Sequence, residues 1–308
     1  MPNVKKVDSP RELREDIIPS NDSILANAQK WHIRPSSTSP NILWKELKED
    51  TFSVVIVDEA HHLPATQWQR IIDKFSKHAK VVFFTATPYR SDGQEIADSI
   101  ELVGFAYRLD RRYAIERNII RDTTFDSIGT PAFTDEAANL QILEKVSDLL
   151  TKKNTQCPLP GGYRHVAIAI ARDKAGADAL EKMWNDRHPD KSAAAYHSDL
   201  KKGPLADIMK RLKEGKVQLL VIVAMLLEGF DYPPISVAAI ATGIKSPVKF
   251  AQFIGRAQRV VRLPEKEEQG GIANIVTHEH YQQLENYRVF ESELLIPDKD
   301  ETEDQVCI

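Results

Sequence analysis

The apolar residues of this chain fall in short unbroken runs bounded by turn-forming or charged residues, not in the alternating pattern of a sheet with one wet face. Runs of that kind read as strands buried on both sides, the pattern of a parallel sheet covered by helices. In the first half they predict strands at Ser53–Asp58, Val81–Thr85 and Ala106–Leu109. In the second half they predict strands at His165–Ile170, Ala193–Tyr196, Val217–Val223, Ser236–Ala241 and Ile272–Val276. Amphipathic segments of helical length lie between them, at Thr66–Ser76, Asn139–Lys153, Lys174–Arg187, Pro204–Glu214 and Pro247–Val260. Ser246-Pro247 supplies an N-cap followed by proline at the first helical position, and Gly203-Pro204 is a plainer version of the same start. Strand and helix alternate twice over, which predicts an α/β chain with two parallel sheets. Thr123–Pro131 lacks periodicity and contains Gly and Pro, so the linker is expected there. The expected division is therefore 1–122, a linker at 123–135, a second domain at 136–290 and a tail at 291–308.

Composition sets bounds on this picture. With 308 residues, 42% of them apolar and 28% charged, the chain has room for two ordinary globular cores. No apolar run reaches membrane-spanning length, and Met1–Arg14 has no apolar core of the kind a secretory signal needs. The two cysteines, Cys157 and Cys307, suggest neither a disulfide framework nor a zinc site, so a reducing, intracellular setting is expected. The net charge of −4 is concentrated at one end: Glu291–Ile308 holds seven acidic residues and one lysine. That tail is expected to be disordered, and without it the body is close to neutral. Charge balance therefore decides nothing about polyanionic partners.

Four segments carry candidate chemistry. The strand ending at Val57 runs into Asp58-Glu59-Ala60-His61. In parallel α/β sheets ligands bind beyond the C-terminal strand ends, so both carboxylates belong at such an edge. One of two adjacent carboxylates suits a magnesium ion and the other suits a water molecule poised for attack on phosphate. A solvated acidic turn after a strand would look the same. The next strand ends in Thr85-Ala86-Thr87-Pro88, whose hydroxyls are placed to hydrogen-bond toward the acidic turn; alone, this is an ordinary turn before proline. After the strongest strand comes Glu228-Gly229-Phe230-Asp231, where Gly229 permits close approach to a phosphate and Asp231 can accept a ribose hydroxyl. Finally, Arg256 and Arg259 stand three apart, on one face of the predicted helix that also carries Gln252. Two converging guanidinium groups suit the charge of a transferring γ-phosphate, although a solvated basic face has the same spacing.

Taken together and in this order, Asp58-Glu59-Ala60-His61, Thr85-Ala86-Thr87, Glu228-Gly229-Phe230-Asp231 and Gln252-(x2)-Gly255-Arg256-(x2)-Arg259 resemble motifs II, III, V and VI of superfamily 2 helicases. The similarity is to the DEAH-type branch that contains type III restriction helicase subunits and DNA repair helicases, and it spans roughly Ile24 to Tyr287. The regions His165–Ile170 and Tyr196-His197-Ser198 resemble the intervening motif IV region. The resemblance implies two RecA-like domains, with ATP and Mg²⁺ as cofactors and nucleic acid, DNA ahead of RNA, as partner. It further implies that Asp58 coordinates Mg²⁺ and Glu59 activates the attacking water. His61, Thr85 and Thr87 would couple nucleotide state to movement, while Gly229 and Asp231 contact ATP. Arg256 and Arg259 would act as arginine fingers with Gln252 orienting the γ-phosphate network, and His197 and Ser198 would be further candidates for contact with the nucleic-acid backbone. Ser246 is read as a helix cap instead.

The family pattern also requires a Gly-x-x-x-x-Gly-Lys-Ser/Thr loop, whose amides and lysine cradle the phosphates, and these 308 residues contain none. Ala224-Met225 stands where many relatives carry a hydroxyl residue. Two expectations follow: negligible ATP turnover by this polypeptide alone, and a first sheet that exposes apolar surface and depends on a partner protein or a missing N-terminal segment. The alternative is a non-catalytic module that binds nucleic acid or a partner protein.

Overall fold

The computed structural model describes residues 4–7, 23–26, 48–60, 71–85, 107, 109–130, 134–190, 192–197, 202–223, 231–268 and 271–292. The chain divides into two units, Met1–Ala106 and Tyr107–Ile308.

In the first unit, β1 (Val4–Val7) pairs in parallel with β2 (Ser23–Ala26), two strands that the sequence reading did not anticipate. Four residues apiece, with Lys5-Lys6 in the first, are too short and too mixed to stand out as apolar runs. The expected strands around Val54 and Val81 form β3 (Val54–Val57) and β4 (Lys80–Phe83), paired in parallel with Ile56 opposite Val82. One face of this pair carries Val55, Val57 and Phe83, packed with Ala60, Ile71 and Ile72. The helical residues 71–75 bring Phe75 against Phe52, ring edge to face at 5.7 Å. The other face leaves Val54, Ile56, Val82 and Phe84 exposed. The strand expected at Ala106–Leu109 is not seen at its two described residues, Tyr107 and Leu109.

The second unit is a six-stranded, all-parallel sheet in the order β5-β12-β9-β6-β8-β7. Its strands are β5 (Asp122–Ile128), β6 (Val166–Ala171), β7 (Ser192–Tyr196), β8 (Val217–Val223), β9 (Ile235–Ile240) and β12 (Ile272–His278). A small antiparallel hairpin, β10 (Arg262–Leu263) with β11 (Lys266–Glu267), precedes β12. Strands β6, β8 and β9 are buried at every position, which is why they read as continuous apolar runs.

Helices cover both faces. On one, α2 (Asp135–Gln156) and α3 (Lys174–Arg187) pack Ile142, Val146, Leu180 and Trp184 onto a sheet surface rich in alanine: Ala167, Ala169, Ala193, Ala195 and Ala239. On the other, α4 (Lys202–Lys213), α5 (Pro247–Gly255) and α6 (Leu284–Ser292) cover Ile168, Ile170, Leu220, Ile222 and Ile240. A short helix, α1 (Arg111–Glu116), starts the unit. Its Arg111 lies 3.7 Å over the Phe290 ring and donates to the Phe290 carbonyl, tying the start of the unit to its last helix.

Two expectations need correction. The domain boundary expected at 122 falls instead after Ala106, and of the segment expected as a linker, residues 123–128 belong to β5 and Asp135 opens α2. Among the described strands β5 pairs with β12 alone, as an edge strand, so it tolerates Asp122, Thr124 and Asp126 and shows no apolar run. The helix expected to run to Val260 stops at Gly255. Beyond it the chain is pulled out of helical geometry: Arg259 bridges Ile120 in antiparallel fashion, and the Arg121 amide donates to the Gln258 carbonyl at 2.6 Å. Arg256 is thus the C-cap and Arg259 lies past the helix, so the two do not share a helix face.

Candidate functional site

The acidic turn sits where β3 ends. Asp58 and Glu59 are exposed, while Ala60 is fully buried and anchors the turn. Asp58 Oδ1 accepts the Glu59 N–H at 2.8 Å. Glu59 has φ 48°, a left-handed backbone that non-glycine residues seldom adopt and that clusters at functional sites. The ladder continues past the strands: Phe84 N–H donates to the Val57 carbonyl at 2.8 Å, and Ala60 N–H to the Phe84 carbonyl at 3.0 Å. These bonds hold the acidic turn beside the segment that follows β4, which includes Thr85. His61 and Thr87 lie outside the described residues.

In the second unit, Arg259 forms an ion pair with Asp231. The contact joins the segment after α5 to the loop that enters β9, and its half-exposed setting holds its worth to about 1 kcal/mol or less. Arg256 is buried at the end of α5, one turn after the half-buried Gln252. Gly229 and Ser198 lie outside the described residues. His197, 6% exposed at the end of β7, has Nε2 3.1 Å from Asp178 Oδ1 on α3; this contact lies within the unit. Ser246 caps α5, its hydroxyl accepting the Lys249 N–H, as expected.

Sequence reasoning missed two groupings. Arg121 is wholly buried and gathers the segments around Asp231 and Arg259; no local motif marks it, because its partners, the Glu268 carboxylate and backbone carbonyls, lie far along the chain. The second lies at the C-terminal ends of β6, β9 and β12, where a cavity of 1090 Å³ opens between the N-terminal end of α2 and α3. The chain leaves β6 toward one side of the sheet and β9 toward the other, so this is a topological switch point, the customary place for a ligand crevice. In its wall Asp135 Oδ2 accepts from Arg172 at 3.0 Å, and Oδ1 lies 2.7 Å from His280 Nε2. The cavity is lined further by Lys182, Thr242 and Tyr281; burial pushes the Tyr281 phenol up to about 12, so it stays protonated.

The chemistry available divides between the units. The first offers adjacent exposed carboxylates, and the second offers two guanidinium groups with a carboxylate. Among the described residues no cluster of three or more metal-binding side chains occurs. The exposed Asp58 carboxylate is an oxygen donor of the kind a magnesium ion takes. No described helix is long and apolar enough to cross a membrane.

Two family models match separate parts of the chain. Residues 11–90 match the family model of the type III restriction enzyme res subunit, and residues 159–261 match that of the helicase conserved C-terminal domain. IRC3 of Saccharomyces cerevisiae, a candidate ATP-dependent helicase, is 25% identical over 232 residues, covering 69% of this chain and 33% of its own length. A fragment of a candidate HsdR subunit of a type I restriction enzyme from Vibrio vulnificus superposes with a TM-score of 0.63 at 20% identity, covering 96% of this chain and 53% of that one. The Mycobacterium smegmatis helicase Lhr, solved with ssDNA and AMP-PNP, gives a TM-score of 0.55 at 17% identity over 96% of this chain and 37% of its own. The chain spans about a third of the length of the curated relatives it matches. With the two α/β units and the ordered motif segments, these matches support a superfamily 2 helicase related to the type III restriction and repair branch.

Proposed function

We propose that this chain is part of an ATP-dependent helicase or translocase, in which ATP hydrolysis drives movement on, or unwinding of, nucleic acid, with DNA ahead of RNA. The observation that carries the reading is the acidic turn. Two adjacent carboxylates stand exposed at a parallel strand end, in a left-handed backbone fixed by hydrogen bonds to the neighbouring strand. Such a turn costs free energy, and holding carboxylates in place at a nucleotide edge is a sufficient reason for it. When bound, Mg²⁺·ATP supplies the γ-phosphoryl group and the divalent charge that phosphoryl transfer needs. Asp58 would hold the cation, Glu59 would orient the attacking water and take its proton, and Arg256 and Arg259 would be the arginine fingers for the charge of the transferring group. Asp231, paired with Arg259, would contact the nucleotide. His61, Thr85 and Thr87 relay the state of the acidic turn, Gly229 admits the nucleotide, Gln252 orients the phosphate network, and His197 and Ser198 belong to the nucleic-acid face.

The second reading, a non-catalytic module that binds nucleic acid or a partner protein, is favoured by one sequence fact: no Gly-x-x-x-x-Gly-Lys-Ser/Thr loop occurs in the 308 residues. ATPase assays of residues 1–308, with and without single-stranded and duplex nucleic acid and beside Glu59→Gln, separate the two. The expected result for this polypeptide alone is negligible turnover together with nucleic-acid binding that weakens steeply with salt. Stimulated turnover abolished by Glu59→Gln would instead show a complete motor. Absence both of nucleic-acid binding at low salt and of a partner protein would remove the second reading.

A further inference from the structure

Arg121 stands at the start of β5 with no accessible surface, and every hydrogen bond that its side chain makes is to a segment far away in sequence. Its Nε donates to Glu268 Oε1 at 2.7 Å and its Nη2 to Glu268 Oε2 at 2.5 Å, a two-pronged pairing that fixes the plane of the guanidinium. The remaining donors are aimed at backbone carbonyls. Nη2 reaches Pro233 at 3.0 Å, and Nη1 reaches Ala257 at 2.8 Å and also the Ile235 carbonyl. The main chain of Arg121 adds a second hold: its amide donates to the Gln258 carbonyl, and its own carbonyl accepts the Gln258 side-chain amide at 3.0 Å. Glu268 closes the circuit by accepting the Val261 N–H at 3.3 Å.

The carbonyls so held are not scattered. Pro233 lies in the loop that enters β9 and Ile235 is the first residue of that strand, both close to Asp231 in sequence, and Ala257 and Gln258 lie between Arg256 and Arg259. One planar, always-charged group therefore fixes the spacing between the two segments whose tips meet in the Asp231–Arg259 ion pair. A lysine would keep the charge, but it could not span Glu268 and three carbonyls in one plane. Core stability alone does not require this arrangement, since a buried ion pair can often be replaced by apolar groups at no loss.

We propose that Arg121, oriented by Glu268, is a positioning residue that sets the register of the Asp231 loop against the Arg256–Arg259 segment. This deepens the ATP-dependent reading and rests on it for its functional meaning. The test is hydrogen–deuterium exchange of the full chain, comparing wild type with Arg121→Lys and following peptides over 231–240 and 256–268 against those from β6 and β8. The expected result is a tenfold or larger rise in exchange in both segments together, with β6 and β8 unchanged. A uniform rise, or none, would overturn the proposal. Should Arg121→Lys fail to fold, Glu268→Gln keeps the guanidinium and its carbonyl contacts; a severalfold rise confined to the same two segments supports the proposal, and any other pattern overturns it.

A fluorescent ATP analogue with Mg²⁺, titrated into the same proteins, separates this inference from the function it rests on. If wild type binds the analogue, Arg121→Lys should weaken binding about as much as Arg259→Ala, with the double variant no worse than Arg259→Ala alone; additive losses would overturn the positioning role. If wild type does not bind, nucleotide use by this chain fails as a reading, and the exchange pattern still decides what Arg121 does.

Discussion

A histidine at the N-terminal edge of the larger sheet illustrates how burial sets protonation. His165 is 2% exposed, with Nδ1 2.7 Å from the Ser236 hydroxyl and Nε2 2.7 Å from the Cys157 carbonyl. Burial pushes its pKa down from 6.5 to about 4, with Lys153 and Arg121 adding to the effect. Between those two values the unfolded chain binds more protons than the folded one. The stabilisation is therefore complete above 6.5 and is lost as pH falls toward 4, by roughly 3 kcal/mol in all. Urea unfolding at pH 7 and pH 4.5 should show this loss, and His165→Gln should flatten the histidine part of it. Gly129 makes a steric point of the same size. Its φ is 77°, and a Cβ there would lie 1.9 Å from His278 Nε2, so Gly129→Ala should cost about 2 kcal/mol or more and lower the melting temperature. At this scale the sequence placed residues whose setting is local, such as Asp58 and Glu59 at the end of an apolar strand. It hid Arg121, because an arginine that works through distant carbonyls has no neighbours in sequence to announce it.

Elements were legible where burial is complete on both faces. β8 at Val217–Val223 and α3 at Lys174–Arg187 have the bounds their apolar patterns predict. What was lost is what tertiary pairing creates or removes. β5 is an edge strand with polar residues on its open side, and α5 ends early because the Arg121–Gln258 and Ile120–Arg259 pairings win over one more helical turn. α2 also begins earlier than its apolar periodicity, at a Thr-Asp-Glu start where the Thr134 hydroxyl accepts the Ala137 N–H. Thr134→Ala should therefore destabilise the unit by about 1 kcal/mol, read as a lowered urea midpoint with an unchanged slope.

For the molecule as a whole, the two units differ in how much apolar surface they enclose. The second holds two continuous cores, one on each side of its sheet. Among its described residues, the first leaves one face of β3 and β4 open at Val54, Ile56, Val82 and Phe84. Residues 107–292 expressed alone should accordingly give a single cooperative thermal transition, while the full chain should lose the β3–β4 unit first in urea, followed by limited proteolysis.

The alanine-lined side of the larger sheet has a consequence of its own. Ala167, Ala169, Ala193, Ala195 and Ala239 leave only the width of a methyl group between backbone and the overlying Ile142, Leu180 and Trp184. The opposite side meets its helices through Ile168, Ile170, Leu220 and Ile222. Drift in this sequence is thus steered in opposite directions on the two sides: enlargement is barred where the alanines lie, and shrinkage is penalised where the isoleucines lie. Successive positions along one strand, exchanged for one another, would be refused for opposite reasons.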